Sequence, residues 1–104
     1  MNGLGIDITN ISRFNGKSEI FWHRVLSADE LEQFQKLDSQ ESRAKFLARS
    51  WAIKEAIFKA DNTYIDFRKI DIKKDQESKL WKFKNFLISI SYADDFVIAV
   101  VTKQ

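Results

Sequence analysis

Apolar residues alternate with glycine and polar residues at the start of the chain, then recur every three or four residues through its middle. The alternation over residues 3–8, Gly-Leu-Gly-Ile-Asp-Ile, predicts a first strand, with glycines where other backbone can approach closely. Residues 9–17 are rich in turn formers and predict a connection with room for one helical turn. The chain therefore begins with one strand ahead of its helical part.

Three segments have the periodicity of amphipathic helices. Residues 19–26 predict a short helix that buries its apolar residues, Ile20, Phe21 and Val25. Ser27 and Glu30 form a capping box, in which the hydroxyl accepts from a backbone N–H and the carboxylate reaches back, so a second helix begins there and continues to about residue 37. Residues 39–61 form the longest helical pattern, with no Gly or Pro to break it.

The longest helix carries two lines of residues with different character. Its apolar stripe consists of Phe46, Leu47, Ser50, Trp51, Lys54, Ile57 and Phe58. A second line, at steps of three and four, consists of Ala48, Ala52, Glu55 and Lys59. Small alanines beside a carboxylate and an amine leave room for something to lie against that line.

The rest of the chain predicts strands separated by polar turns, at residues 67–73, 80–84, 86–92 and 96–102. One strand, then helices, then a run of antiparallel strands indicates an α+β fold with helices packed on one face of the sheet. At 104 residues the chain fits one domain, residues 1–104.

Composition narrows the chemistry. There is no Cys, which excludes disulfides, thiol nucleophiles and Cys-ligated zinc, and the single His23, which we interpret as a surface or structural residue, excludes multi-histidine metal sites. A metal would be held mainly by oxygen, as Mg²⁺, Mn²⁺ or Ca²⁺ is. The net charge of +2 does not call for a nucleic acid partner. The first residues lack a signal-peptide pattern and no apolar run would span a membrane, so we expect a soluble, cytoplasmic protein.

Three features have plain structural explanations when each is taken alone. Asp7 near the end of an apolar strand can cap a turn. Glu55 and Lys59, one helical turn apart, can form an exposed ion pair. Ser91 and Tyr92 can end an amphipathic strand at a sheet edge.

Together and in this order, the same features resemble the holo-acyl-carrier-protein synthase branch of the phosphopantetheinyl transferases. That family has an N-terminal GxDI strand, a helical FLAxRxxxKEAxxKA segment and a late SISH strand. Here they read Gly-Ile-Asp-Ile at 5–8, Phe-Leu-Ala at 46–48 with Lys-Glu-Ala at 54–56 and Lys-Ala at 59–60, and Ser-Ile-Ser-Tyr at 89–92. The resemblance covers nearly the whole chain, and the central KEAxxKA block is its most specific part.

The resemblance implies a Mg²⁺-dependent enzyme, with Mn²⁺ as an alternative, that transfers 4′-phosphopantetheine from coenzyme A to a serine of apo-acyl carrier protein and releases 3′,5′-ADP. It implies that Asp7 and Glu55 bind the metal and that Lys59 binds phosphate. Glu55, directly or through a water, is also the candidate for accepting the serine proton. Lys54 either reaches a neighbouring phosphate or is solvated, and Ser91 and Tyr92 are expected at the coenzyme A site.

The resemblance also implies a partner and an assembly. The partner is an acidic helix of the carrier protein, for which Arg13, six residues after Asp7, and Arg24 are the candidate docking residues; ordinary solvated charges are the alternative. The implied assembly is a homotrimer with sites at subunit boundaries, and neither nucleic acid nor a membrane is expected as a partner.

The chain departs from the family pattern at several places. Tyr92 stands where the family has histidine, so a neutral hydroxyl replaces a group that can carry positive charge. The arginine after FLAG falls at Ser50, with Arg49 one place earlier, and two glycine-containing turns are missing. These departures leave open a non-catalytic relative that binds coenzyme A or carrier protein.

A different class of function is a small RNA-binding α+β module. Trp81, Phe83 and Phe86 lie near Lys82 and Lys84, and such aromatics can stack bases on a sheet. The same alternation also describes a half-buried strand.

Overall fold

The computed structural model describes residues 3–104; the first two residues of the predicted domain, Met1 and Asn2, lie outside the described residues. It contains five strands, β1 (Leu4–Asn10), β2 (Lys73–Lys74), β3 (Trp81–Phe83), β4 (Phe86–Ala93) and β5 (Phe96–Lys103), and three α-helices, α1 (Glu19–Val25), α2 (Ala28–Gln35) and α3 (Gln40–Ala60). The strands form one antiparallel sheet in the order β1-β5-β4-β3-β2. The predicted α+β class and the antiparallel sheet with helices on one face are confirmed.

Side-chain hydroxyls set where the helices begin. Ser18, Ser27 and Ser39 each accept a hydrogen bond from a backbone N–H in the first turn of α1, α2 and α3. The capping box predicted for Ser27 and Glu30 is present, with both of its hydrogen bonds. Among residues 3–104, no helix combines the length and hydrophobicity that crossing a membrane requires.

Helix α3 lies across β1 and β5, and a glycine allows the close approach. A Cβ atom at Gly5 would lie 1.8 Å from the carbonyl oxygen of Ala56, so only a residue without a side chain fits there. Buried residues of α3 and the facing side chains of β4 and β5, among them Ala52, Ala56, Val97, Ala99 and Val101, form the centre of the core. The predicted role of glycine in the first strand is thereby confirmed.

The opposite face of the sheet is apolar and exposed. Side chains alternate along a strand, so Gly5, Asp7 and Thr9 of β1 point toward α3 while their neighbours point away. Those neighbours, Leu4, Ile6 and Ile8, are each 53–58% exposed, and Leu87 of β4 is 58% exposed. No helix of the described chain covers this face, since α3 packs on the other one.

Two predictions are wrong. Residues 67–73 do not form a strand: Phe67–Lys69 is a turn of 3₁₀ helix, which Asp66 caps by accepting from the Arg68 N–H, and only Lys73–Lys74 pairs with β3. Ile20 is 68% exposed rather than buried, because the short α1 turns Val25 and part of Phe21 toward the core instead.

Candidate active site

The structure brings Asp7, Glu55 and Lys59 together where β1 faces the C-terminal half of α3. Asp7 points toward the helix because strand alternation puts it on the same face as Gly5. The Lys59 ammonium donates to Asp7 Oδ1 at 3.2 Å and to the Ile6 carbonyl oxygen at 3.0 Å. Glu55 lies one turn before Lys59 on the same helix. The three residues predicted to be catalytic therefore lie together.

The two carboxylates lie in an environment that disfavours their charge. Burial raises the pKa of Asp7, and the Lys59 hydrogen bond opposes that rise without cancelling it. Burial also raises the pKa of Glu55, and the nearby negative charge of Asp7 raises it further. Asp7 Oδ2 is buried and has no hydrogen-bond partner among the described residues. A buried carboxylate oxygen without a donor is a site where a cation would bind favourably.

The donor set fits a hard divalent cation. Within residues 3–104 no group of three or more His, Asp or Glu side chains is arranged so that it could hold a metal ion, so a closed all-protein cage is not built. Mg²⁺ is commonly bound by one or two carboxylates, with phosphate oxygens and water completing its shell. Asp7 supplies an oxygen without a partner, and the Glu55 side chain has no hydrogen bond or ion pair in the described chain. Both carboxylates are therefore available as ligands.

Arg13 lies between these carboxylates and an aromatic cluster. It belongs to the 3₁₀ turn Ser12–Phe14, which the Asp95 carboxylate holds by accepting from the Ser12 N–H at 3.1 Å. Arg13 Nη1 donates to Thr9 Oγ1 at 3.3 Å, and its guanidinium lies 5.3 Å from the centre of the Trp51 ring. Its positive charge acts to lower the pKa of Asp7 and of Glu55. Burial has the larger effect, so both pKa values remain raised. Arg13 therefore connects the carboxylates to the surface next to them.

That surface is a groove of about 570 Å³, here called the aromatic groove. It is lined by Phe21, Arg24, Val25, Trp51 and residues 65–68. The Phe21 and Trp51 rings stack at 6.0 Å, and the Phe67 ring meets Trp51 edge-on at 5.6 Å. Arg24 lies at its rim, exposed and without an ion pair among residues 3–104. Arg13 and Arg24 thus flank one apolar depression.

Lys54 does not reach a phosphate or solvent, so the prediction that it contacts the cofactor is wrong. The side chain is fully buried, and its ammonium donates to Glu30 Oε1 at 2.6 Å, the Val25 carbonyl at 2.7 Å and the Phe67 carbonyl at 2.9 Å. The sequence contained a signal for this, because Lys54 lies within the apolar stripe of the long helix. A lysine in such a stripe requires a buried acceptor. Glu30 is that acceptor, but its place in the capping box already explained it, so no local pattern paired it with Lys54.

Ser91 and Tyr92 lie apart from the carboxylates within one chain. Tyr92 contacts Lys45, whose ammonium is 4.6 Å from the ring centre, and Lys45 precedes Glu55 by ten residues, about 15 Å along an α-helix. Ser91 points to the opposite, exposed face of the sheet, because it alternates with Tyr92. The coenzyme A contacts predicted for these two residues remain predictions, and a single subunit does not bring them beside Asp7.

The structure shows what stands in place of the family's arginine and where the aromatic residues of β3 and β4 lie. Ser50 is buried, whereas the Arg49 guanidinium stacks 4.5 Å from the centre of the Trp81 ring. Phe83 and Phe86 are both buried, at 6% and 4% exposure. Two of the three aromatic residues in the RNA-binding interpretation are thus buried and the third, Trp81, is covered by Arg49, so that interpretation loses its stacking platform.

His23 lies on the surface, as expected. Its Nε2 is 3.9 Å from Glu19 Oε1, one helical turn earlier, and both side chains are more than half exposed. It points neither toward Asp7 and Glu55 nor into the core.

Comparisons with known proteins point to one family. The family model described as 4′-phosphopantetheinyl transferase superfamily matches residues 3–101. The holo-acyl-carrier-protein synthase of Mycoplasma mobile is 48% identical over 101 residues, which cover 97% of this chain and 88% of that protein. The crystal structure of the enzyme of the same name from Neisseria meningitidis superposes with a TM-score of 0.84 at 26% identity, covering 100% of this chain and 99% of that one.

A further solved structure includes a bound nucleotide. The Bacillus anthracis holo-acyl-carrier-protein synthase, in complex with CoA (3′,5′-ADP), has a TM-score of 0.82 at 27% identity and covers 97% of this chain and 94% of that one. The family match extends from the start of β1 into β5 and includes every strand and helix described above except the last two residues of β5. The chain therefore belongs to the 4′-phosphopantetheinyl transferase superfamily, within its branch of holo-acyl-carrier-protein synthases, a family of enzymes.

Proposed function

We propose that the protein transfers 4′-phosphopantetheine from coenzyme A to a serine hydroxyl of an apo-acyl carrier protein, with release of 3′,5′-ADP and with Mg²⁺ as cofactor. The observation that carries this proposal is the cluster of Asp7, Glu55 and Lys59, in which one buried carboxylate oxygen has no partner. The relatives of Bacillus anthracis and Helicobacter pylori, whose structures contain coenzyme A or its nucleotide, support coenzyme A as the donor.

Each residue of the cluster has a distinct role in the proposal. Asp7 and Glu55 would hold the metal, which when bound would supply positive charge next to the pyrophosphate. Lys59, half exposed beside Asp7, binds a phosphate oxygen. Glu55 accepts the serine proton directly or through a water.

The acceptor protein binds in the aromatic groove. The groove is apolar at its floor and has Arg24 at its rim and Arg13 between it and Asp7. This combination suits an amphipathic helix with apolar and acidic residues, because the arginines complement its charge while its apolar side chains cover Trp51 and Phe21. A carrier helix seated there would direct its serine past Arg13 toward the carboxylates.

The protein assembles as a homotrimer in the cytoplasm, with coenzyme A bound at subunit boundaries. The exposed apolar face of the sheet supports association, because a surface of this kind marks an interaction site. Ser91 lies on that face, whereas Tyr92 points to the α3 side of the sheet beside Lys45. In the trimer, these residues of a neighbouring subunit would reach a cofactor that Asp7 and Lys59 of the first subunit also bind. Light scattering at working concentration that reports a monomer would contradict the trimer.

The deciding experiment follows transfer itself. The protein is incubated with apo-acyl carrier protein, coenzyme A and Mg²⁺, and the mass of the carrier is followed. We expect a gain of one phosphopantetheine that is lost with EDTA, with Asp7→Asn and with Glu55→Gln. No gain from several bacterial carriers, with coenzyme A still bound, would instead indicate the binding-only relative, and no binding of coenzyme A would refute the donor assignment.

A further inference from the structure

The two walls of the aromatic groove come from segments far apart in sequence. One wall is the C-terminal half of α1, which ends at Val25, and the other is the 3₁₀ turn Phe67–Lys69. No backbone hydrogen bond joins these two segments in the described chain. The distance between the walls must therefore be set by side chains.

Lys54 joins the two walls directly. Its ammonium donates to the Val25 carbonyl at 2.7 Å on one side and to the Phe67 carbonyl at 2.9 Å on the other. Both carbonyls belong to residues that line the groove. Because one nitrogen atom binds both oxygens, it fixes their separation.

Glu30 doubles this connection. Its Oε1 accepts from Lys54 at 2.6 Å and from the Ser27 N–H at 2.9 Å, and its Oε2 accepts from the Ile72 N–H at 2.7 Å. Ser27 comes two residues after the end of α1, and Ile72 follows the 3₁₀ turn. The same two walls are therefore linked a second time, through the carboxylate.

The geometry requires Lys54 to be protonated. The three acceptors of Lys54 are two carbonyls and a carboxylate, and a neutral amine has only two N–H groups to donate. The side chain is fully buried, so water cannot replace any of the three partners. Trp51, the floor of the groove, lies one helical turn before Lys54 on α3. One helix face thus supplies both the floor and the group that sets the spacing of the walls.

Stability alone is a poor explanation for this arrangement. Burying two charges carries a desolvation penalty, and apolar side chains of similar volume often replace such pairs without loss of stability. What apolar replacements do not provide is a directional link to two particular carbonyls. We propose that Lys54 is a positioning residue for the carrier protein, holding the walls of the aromatic groove at the separation that a docked helix requires. This proposal rests on the carrier docking proposed above.

The test compares Lys54→Met with the double variant Lys54→Met/Glu30→Gln. Methionine fills the volume of the lysine stem, and glutamine at position 30 removes the buried charge while keeping a residue that suits a capping box. The control is Ile88→Ala, which opens a cavity in the sheet core at a buried residue of β4, outside the groove. For each protein the KM for apo-carrier, the KM for coenzyme A and kcat are measured, and binding of fluorescently labelled apo-carrier is titrated directly.

We expect a folded Lys54 variant to raise the KM and the Kd for apo-carrier about tenfold or more. The KM for coenzyme A should stay within about twofold, because the proposed cofactor site at Asp7 and Lys59 shares no residue with the lining of the groove. Ile88→Ala should destabilise the fold but change neither KM. Loss of stability lowers the fraction of active protein, and this lowers kcat alone. A merely structural role for Lys54 would give that same pattern.

Three results would overturn the proposal: an unchanged affinity for apo-carrier in a folded variant, an equal loss of affinity for both substrates, or failure of both variants to fold, which would show that Lys54 supports the fold as a whole. Failure of the proposed function looks different. In that case the wild-type protein itself would neither bind nor modify an apo-carrier.

Discussion

Replacing Gly5 by alanine tests whether the close approach of β1 to α3 holds the candidate active site together. The added Cβ would lie 1.8 Å from the Ala56 carbonyl oxygen and 2.8 Å from the Ala56 carbonyl carbon. Ordinary contact begins near 3.4 Å, so strand and helix would have to separate by about 1.6 Å. The atoms in conflict are backbone atoms, which cannot rotate away as a side chain can.

The expected cost follows from that displacement. Overpacking a core by a methyl group typically costs about 1–3 kcal/mol, and this overlap with backbone belongs at or above the upper end. A loss of about 3 kcal/mol would lower the Tm of a domain of this size by about 12 °C or more. Gly5 does not have a positive φ, so the whole effect comes from crowding. The same separation would move Asp7 away from Glu55, and misplacement by about 1 Å can reduce turnover about 100-fold.

Thermal unfolding followed by circular dichroism at one fixed protein concentration measures the loss of stability, and the transfer assay measures the loss of turnover. Gly16→Ala is the matched control. Gly16 has φ +67°, and a Cβ atom added there would have no neighbour within 4 Å, so alanine meets only the backbone cost of the left-handed region, about 1 kcal/mol. If Gly5→Ala were no more destabilising than Gly16→Ala, β1 and α3 would not be in the contact described here.

Other perturbations probe the remaining parts of the structure. Lys59→Met should reduce transfer about 10- to 100-fold, because it removes a charged hydrogen bond worth about 1.5–3 kcal/mol, and a rate within threefold of wild type would contradict the phosphate role. Arg24→Glu should raise the KM for carrier about tenfold at low salt while leaving the KM for coenzyme A unchanged, whereas the exposed Lys36→Glu, remote from the groove, should change neither. Hydrogen bonds from Lys103 and Thr63 lower the pKa of Asp61 to about 2 from 3.8, so the stability that this carboxylate contributes is complete above pH 4 and is lost as the pH falls through about 2. Urea unfolding of wild type and Asp61→Asn between pH 2 and 7 should therefore show a difference that disappears at the acidic end, and a difference independent of pH would refute this assignment.

The sequence predicted those parts of the fold that local patterns determine. The capping box at Ser27 and the unbroken periodicity before residue 60 are local signals, and α2 and α3 begin where these signals place them. The segment 67–73 shows the limit of such patterns. Its alternation resembles a strand, but its backbone groups bind Lys54 and Glu30, residues that are distant in sequence. Tertiary contacts of this kind override local propensity.

The candidate site shows the same division. Asp7, Glu55 and Lys59 could be predicted because they lie at positions of a family motif, and the structure brings them together. The aromatic groove could not be predicted, because Phe21, Trp51 and Phe67 come from three elements and meet only after folding. Lys54 was assigned to the wrong environment because its partner, Glu30, was already explained by a local motif.

The alternation of β1 has a consequence for changes in chain length. One face of the strand carries Gly5 and Asp7, which contact α3, and the other carries Leu4, Ile6 and Ile8, which form the exposed apolar surface. A single inserted or deleted residue would exchange the two faces downstream of it, so isoleucine would meet the helix and the carboxylate would point into the apolar surface. Both the proposed metal ligand and the proposed assembly surface would be lost together, although no side chain had been substituted. In β1 the number of residues is therefore as strict a requirement as their chemistry. One register of the strand sets both the position of the carboxylate and the composition of the apolar surface.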